Sequence, residues 1–117
     1  MWNLFGTKQD ISAKKAMSKL ESGWQPFILD VRSIAEVKQT GVIPGCKLSH
    51  PHSSIGKVRK QIPKNKDVFL MCKGGMRSAK AMDALIALGY DESRLFNMKG
   101  GVTAWARCGG DFVKYTN

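Results

Sequence analysis

The sequence predicts an α/β domain, a parallel β-sheet flanked by helices on both faces, and three observations lead there. Short apolar runs at 26–31 and 67–71 alternate with stretches whose apolar residues recur at helical spacing, the pattern of strand–helix–strand units. Helix punctuation falls outside the runs: Ser33 three residues before Glu36, and glycines at 23, 41 and 89 closing periodic segments. The length of 117 residues suits one compact domain, 1–117, of a size that buries roughly two-thirds of the surface its unfolded chain exposes. No internal repeat or low-complexity stretch interrupts it.

Taken in order, a first helix is expected over about 11–21, with Ile11, Met17 and Leu20 near one face and Gly23 as its stop. Pro26-Phe27-Ile28-Leu29-Asp30-Val31 reads as a buried strand. Ser33-Ile34-Ala35-Glu36 has the spacing of a capping box, in which the two side chains satisfy free backbone donors at a helix start. That helix ends by Gly41, and Ile43-Pro44-Gly45 turns the chain into a short strand at 46–49. Ile55, Val58 and Ile62 mark a third helical stretch, closed by Pro63, whose ring cannot continue a helix. Asp67-Val68-Phe69-Leu70-Met71 is a second strong strand. It runs directly into Cys72 and a glycine-rich loop. A helix follows over about 78–88 and stops at Gly89, which suits the left-handed turn after a helix. Leu95-Phe96-Asn97-Met98 reads as the last strand, and Gly100-Gly101-Val102-Thr103-Ala104-Trp105 opens a final short helix.

Composition narrows the function classes. Hydrophobic content of 43% with 24% charged residues is that of a globular protein and excludes a disordered tail. Nineteen Lys and Arg against nine Asp and Glu leave a net charge of +10, a field that draws anions without choosing among them. The local cluster Lys57, Arg59, Lys60, Lys64 and Lys66 reads as a solvated face. Cysteines at 46, 72 and 108 form no CxxC pair and are odd in number, which argues against a disulfide scaffold and for a reducing compartment, the cytoplasm. The start, MWNLFGTKQD, has no basic segment leading into a long apolar run. No window approaches the roughly 20 apolar residues that span a bilayer, so no membrane partner is expected.

The chemistry is expected at Cys72-Lys73-Gly74-Gly75-Met76-Arg77. In a parallel sheet, ligands gather beyond the carboxyl ends of the strands, where Cys72 falls. Gly74 and Gly75 allow a tight curl whose N–H groups form a nest for negative charge. The helix opening near Ser78 adds its free donors and the positive end of its dipole. Lys73 and Arg77 add positive charge. Each influence favours thiolate over thiol, against an ordinary cysteine pKa near ~8.5. A thiolate in an anion cradle is a nucleophile poised for an anionic electrophile.

These pieces together resemble the single-domain rhodaneses, a family of sulfurtransferases. Leu29-Asp30-Val31-Arg32 with Glu36, Gly41-Val42-Ile43-Pro44-Gly45, the loop Cys72 to Ser78, and Gly100-Gly101-Val102-Thr103-Ala104-Trp105 stand in the family's order and spacing. Val42 replaces a frequent histidine of the turn and Cys46 a frequent alanine. The resemblance implies a parallel sheet flanked by helices, and a mechanism in which the Cys72 thiolate takes the sulfane sulfur of a donor such as thiosulfate. The persulfide then gives its outer sulfur to a small thiol or a protein acceptor. By position, Cys72 is the nucleophile, the amides of Lys73, Gly74, Gly75, Met76 and Arg77 hold the persulfide, and Arg77 binds the donor's oxyanion end. Asp30 and Arg32, with Ser78, are expected in structural support, the first two tying strand ends together by charge-assisted hydrogen bonds. Related folds with phosphatase activity use a longer loop between cysteine and arginine. The smaller ring here suits a sulfur atom better than a phosphate and leaves phosphatase or arsenate reductase chemistry as a lesser alternative.

Other candidates reduce to plainer roles. His50-Pro51-His52 has no neighbouring ligand to complete a metal site and reads as a surface loop, so no metal is expected. Cys46 and Cys108 show no spacing that would make them resolving thiols for Cys72. Trp2, Trp24 and Trp105 read as packing residues. Neither a GxxxxGK loop nor a GxGxxG after a strand is present, so no nucleotide cofactor is expected. A regulatory module that binds an acidic partner through the positive surface is the alternative of another class. Nucleic acid is the least supported partner, because the basic residues lack interleaved aromatics.

Overall fold

The computed structural model describes residues 9–116. Among these, β1 (Asp10–Ser12), β2 (Phe27–Asp30), β3 (Cys46–Ser49), β4 (Val68–Met71) and β5 (Leu95–Lys99) form one sheet in the order β1-β5-β4-β2-β3, every pairing parallel. The chain winds outward from β2 to β3, then returns to lay β4 on the other side of β2. The crevice beyond the carboxyl ends of β2 and β4 is thus the switch point where α/β sheets hold ligands.

Two cores, one per face, explain why β2 and β4 read as continuous apolar runs. On one face Leu29, Val31, Val68, Leu70 and Cys72 pack under Ile55 and Ile62 and under Ala81, Met82 and Leu85 of α3 (Met76–Ala87). On the other, Ile28, Phe69, Met71 and Met98 meet Ala13 and Ala16 of α1 (Ala13–Glu21) and Val102 and Trp105 of α4 (Gly101–Arg107). Neighbouring residues of a strand face opposite ways, so only a strand covered on both sides is apolar throughout. Each such side chain, fully withdrawn from water, contributes about 1.5–3 kcal/mol before the entropy of ordering it. No helix among the described residues is long and apolar enough to cross a membrane.

The capping box forms as expected at the start of α2 (Ile34–Thr40). Ser33 Oγ accepts from the Glu36 N–H, the Glu36 carboxylate accepts from the Ser33 N–H, and Gly41 closes the helix with a positive φ. Three expectations need correction. Ile11 does not lie on the first helix but in β1, opposite Met98; Ser12 caps α1 by accepting from the Lys15 N–H, and the helix starts at Ala13. The third helical stretch is a 3-10 segment over His52–Gln61, broken by non-helical backbone at Ser54 and Val58, and only Ile55 and Ile62 of its apolar triad are buried. The helix expected near Ser78 begins at Met76, because Gly75 in a left-handed conformation lets the chain enter the helix two residues sooner. Trp24 and Trp105 pack as expected, their indole N–H groups donating to the Asp67 carboxylate and the Asp111 carbonyl, whereas Trp2 lies outside the described residues. The basic cluster from Lys57 to Lys66 is exposed.

Candidate active site

Cys72 follows the last residue of β4 and is 1% exposed. The loop after it curls so that the Gly75 N–H donates to Cys72 Sγ at 3.0 Å. The Ser78 hydroxyl, from the first turn of α3, sits 3.3 Å from the same sulfur. Burial pushes the thiol pKa up, but hydrogen bonds from the Ser78 hydroxyl and from the Ser78, Gly75 and Gly74 amides outweigh it, and the net shift is down. The thiolate is therefore stabilised chiefly by short-range donors. Lys73 is exposed and lines a cleft with Arg32, Glu36 and Thr103.

Only one of the loop's two glycines is there for its backbone. Gly75 has φ +106, in the region that side chains rarely adopt, whereas Gly74 has no positive φ and a Cβ on it would meet nothing within 4 Å. The floor beneath the loop comes from elsewhere in the chain. Val102 and Thr103 N–H groups, at the start of α4, donate to the Cys72 and Lys73 carbonyls at 2.9 and 3.2 Å. Gly101 makes that approach possible: a Cβ there would stand 2.4 Å from the Cys72 oxygen and 2.3 Å from the Lys73 oxygen.

Asn97 was invisible as a site residue in the sequence. It is 4% exposed on β5, its Oδ1 accepts from the Ser78 hydroxyl, and its Nδ2 donates to the Gly75 carbonyl and to Asp10 Oδ1 at 3.2 and 3.1 Å. The available signal was a polar residue inside an apolar strand, which must find a partner when buried. Asn97 fixes Ser78, and Ser78 faces the sulfur.

Asp30 and Arg32 occupy the end of β2, 0% and 2% exposed. Arg32 donates to both Asp30 carboxylate oxygens from Nε and Nη2, and reaches Thr40 Oγ1 and the Gly41 carbonyl at 2.8 Å each. This buried fork ties the end of β2 to the end of α2. Arg77 sits across the crevice, its guanidinium bidentate to the Glu36 carboxylate at 2.7 and 2.8 Å. The bond to Arg77 holds Glu36 down at about 2, and the same bond raises Arg77 further. His50 donates its backbone N–H to the Asp30 carbonyl and shares a hydrogen bond between its ring and Ser54. Cys46 is pushed up to about 11 by burial, with the Asp30 carboxylate adding to the shift.

A model of the rhodanese-like domain matches residues 12–108. The chain belongs to the rhodanese-like family. It is similar to a sulfurtransferase from Allochromatium vinosum, 35% identical over 100 residues, covering 86% of this chain and 90% of that one. A crystal structure of a rhodanese-like domain protein from Staphylococcus aureus matches with a TM-score of 0.76 at 32% identity, over 90% of this chain and 98% of that one. The rhodanese-like region also resembles part of a longer protein, the tRNA uridine(34) hydroxylase of Rickettsia africae. There the chain is 27% identical over 105 residues, 86% of its own length and 36% of the relative's. The loop after β4 and the α4 segment that supports it both fall within the matched region.

Proposed function

We propose that this rhodanese-like protein is a sulfurtransferase that carries sulfane sulfur as a persulfide on Cys72. The observation that carries the reading is the sulfur of Cys72 at the end of a central strand, ringed by the Gly75 amide and the Ser78 hydroxyl, with its pKa drawn down. In the first half-reaction the thiolate attacks the outer sulfur of a donor. With thiosulfate, the donor's S–S bond breaks and sulfite leaves with the bonding pair. The amides of the loop Lys73 to Arg77 hold the persulfide charge that results, as donors fixed in advance do at a developing anion. In the second half-reaction a thiol, small or on a protein, attacks the outer sulfur and Cys72 leaves as thiolate. Neither step asks for a general base once Cys72 is ionised. Buried under its loop, Cys72 favours donors that present a sulfur end-on. Three free thiols, one of them exposed, suit a reducing compartment such as the cytoplasm.

The test is an intact mass after incubation with thiosulfate and, separately, with polysulfide. The expected result is a gain of one sulfur on the native chain, lost on adding cyanide and absent from Cys72→Ser. If neither donor leaves an adduct, the loop does not activate Cys72, and a binding module for an acidic partner becomes the better reading.

A further inference from the structure

We infer that Glu36 selects the sulfur donor: by holding Arg77 it withholds the guanidinium from oxyanions, so that the loop loads from an organic persulfide in preference to thiosulfate. This rests on the sulfurtransferase reading above and names the donor class for the same site.

The ion pair spans the switch-point crevice. Glu36 comes from the helix after β2 and Arg77 from the helix after β4, so the two close over the ends of the central strands. Both guanidinium Nη atoms are used, and the carboxylate is anchored independently of Arg77. Glu36 Oε1 also accepts from the Ser33 N–H at 3.0 Å and the Ser33 hydroxyl at 2.9 Å. Glu36 therefore cannot swing aside without giving up its half of the capping box, the bonds from the Ser33 N–H and hydroxyl. A thiosulfate dianion arriving at Arg77 meets a guanidinium whose charge is already matched, beside a carboxylate that stays and repels it. Bidentate arginine–carboxylate pairs are among the stronger charged hydrogen bonds, so displacement is costly.

The surroundings of the pair favour a donor with a carbon group instead. Met76, next to Arg77, is 77% exposed, and Ile34, two residues before Glu36, is 61% exposed. Both are large apolar side chains left in water at the helix starts that carry the pair. An organic persulfide, RS–SH, needs no oxyanion subsite. The Cys72 thiolate attacks its outer sulfur, the RS–S bond breaks, and RS⁻ leaves with the bonding pair. The transferred sulfur keeps its proton, as Cys72–S–SH, until solvent takes it. No oxidant or reductant is consumed.

The experiment measures second-order rates of Cys72 loading by intact mass, with thiosulfate and with the persulfide of 2-mercaptoethanol. Each is divided by the rate of the same donor with free cysteine. Wild-type protein is expected to favour the persulfide. In Glu36→Gln the amide oxygen keeps the cap on α2 while the charge is gone, and the thiosulfate rate rises about tenfold while the persulfide rate moves less than about threefold. Glu36→Ala, which also loses the side chain's half of the capping box, shifts the ratio the same way although it melts lower. A wild-type preference for thiosulfate, or a donor ratio unmoved in both variants, overturns the role given to Glu36 and leaves the sulfurtransferase reading intact. If neither donor loads wild-type Cys72, that reading fails, and this inference with it.

Discussion

Gly101→Ala should damage the active-site loop from below. The residue lies at φ +60, and an added Cβ would come within 2.3–2.4 Å of the carbonyl oxygens of Lys73 and Cys72. Those are backbone atoms, so no rotamer change relieves the overlap. An alanine in left-handed backbone costs roughly 1–2 kcal/mol. Forcing extra volume into a packed contact adds about 1–3 kcal/mol. The Val102 and Thr103 amides that bond the same two carbonyls would also be pushed away, although part of that loss is already counted in the overlap. A net loss of about 3 kcal/mol is expected, which in a domain of this size lowers the melting temperature by roughly 10–15 °C. Gly23→Ala supplies the comparison, because Gly23 has φ +107 but nothing within 4 Å of its would-be Cβ. It should lose only the backbone strain, about 1–2 kcal/mol. The assay pairs thermal melts with sulfur loading of Cys72 well below the melting point. Gly101→Ala melting within a few degrees of Gly23→Ala, with loading at the wild-type rate, would refute the claim that α4 supports the loop.

Two further substitutions probe the thiolate and the strand end. Ser78→Ala removes the side-chain donor to Cys72 Sγ, so the thiol pKa should rise; less thiolate is then present at neutral pH, and the midpoint of a pH–alkylation profile with iodoacetamide should move up. An unmoved midpoint would assign the lowered pKa to the backbone amides alone. Arg32→Ala leaves the Asp30 carboxylate buried without its fork, and breaking a buried pair from one side costs about 3–5 kcal/mol, readable in urea unfolding. Arg32→Lys should recover little of that, because an ammonium cannot bridge both carboxylate oxygens, Thr40 and Gly41 at once.

What was legible in the sequence was local. Ser33 and Glu36 are three residues apart, and the capping box needs nothing beyond them. The strand 68–71 followed by Cys72 and glycine carried its meaning in six or seven consecutive residues. What was not legible depends on partners distant in the chain. β1 is three residues long and exists because β5 presents an open edge to it, so Ile11 was indistinguishable from a helix residue until Met98 was placed beside it. Glu36 announced its cap but not its grip on Arg77, 41 residues away. Gly74 and Gly75 look alike as letters, and only the left-handed φ of Gly75 tells the required glycine from the permitted one. The Gly100-Gly101 motif was legible as a helix start, while its second purpose lies in the carbonyls it must approach.

A count of protons at Cys72 connects these distant residues to the chemistry. Ser78 has one hydroxyl hydrogen and three acceptors within reach: Cys72 Sγ, the Gly75 carbonyl and Asn97 Oδ1. The orientation of the Asn97 amide is settled by its own neighbours. Its nitrogen faces two acceptors, the Gly75 carbonyl and the Asp10 carboxylate, so its oxygen must face Ser78. While Cys72 is a thiol, Ser78 can give its hydrogen to Asn97 and accept the weak S–H bond in return. Once Cys72 is a thiolate, the sulfur competes for that hydrogen, and the cost of turning the hydroxyl falls on the bond to Asn97. When sulfur is loaded, the charge moves outward to the terminal atom and the competition at Sγ relaxes. A single hydroxyl with a neutral second acceptor can thus follow the charge of the sulfur by rotation alone, with Ser78 neither gaining nor losing a proton. That is the behaviour wanted where the nucleophile of one half-reaction becomes the leaving group of the next.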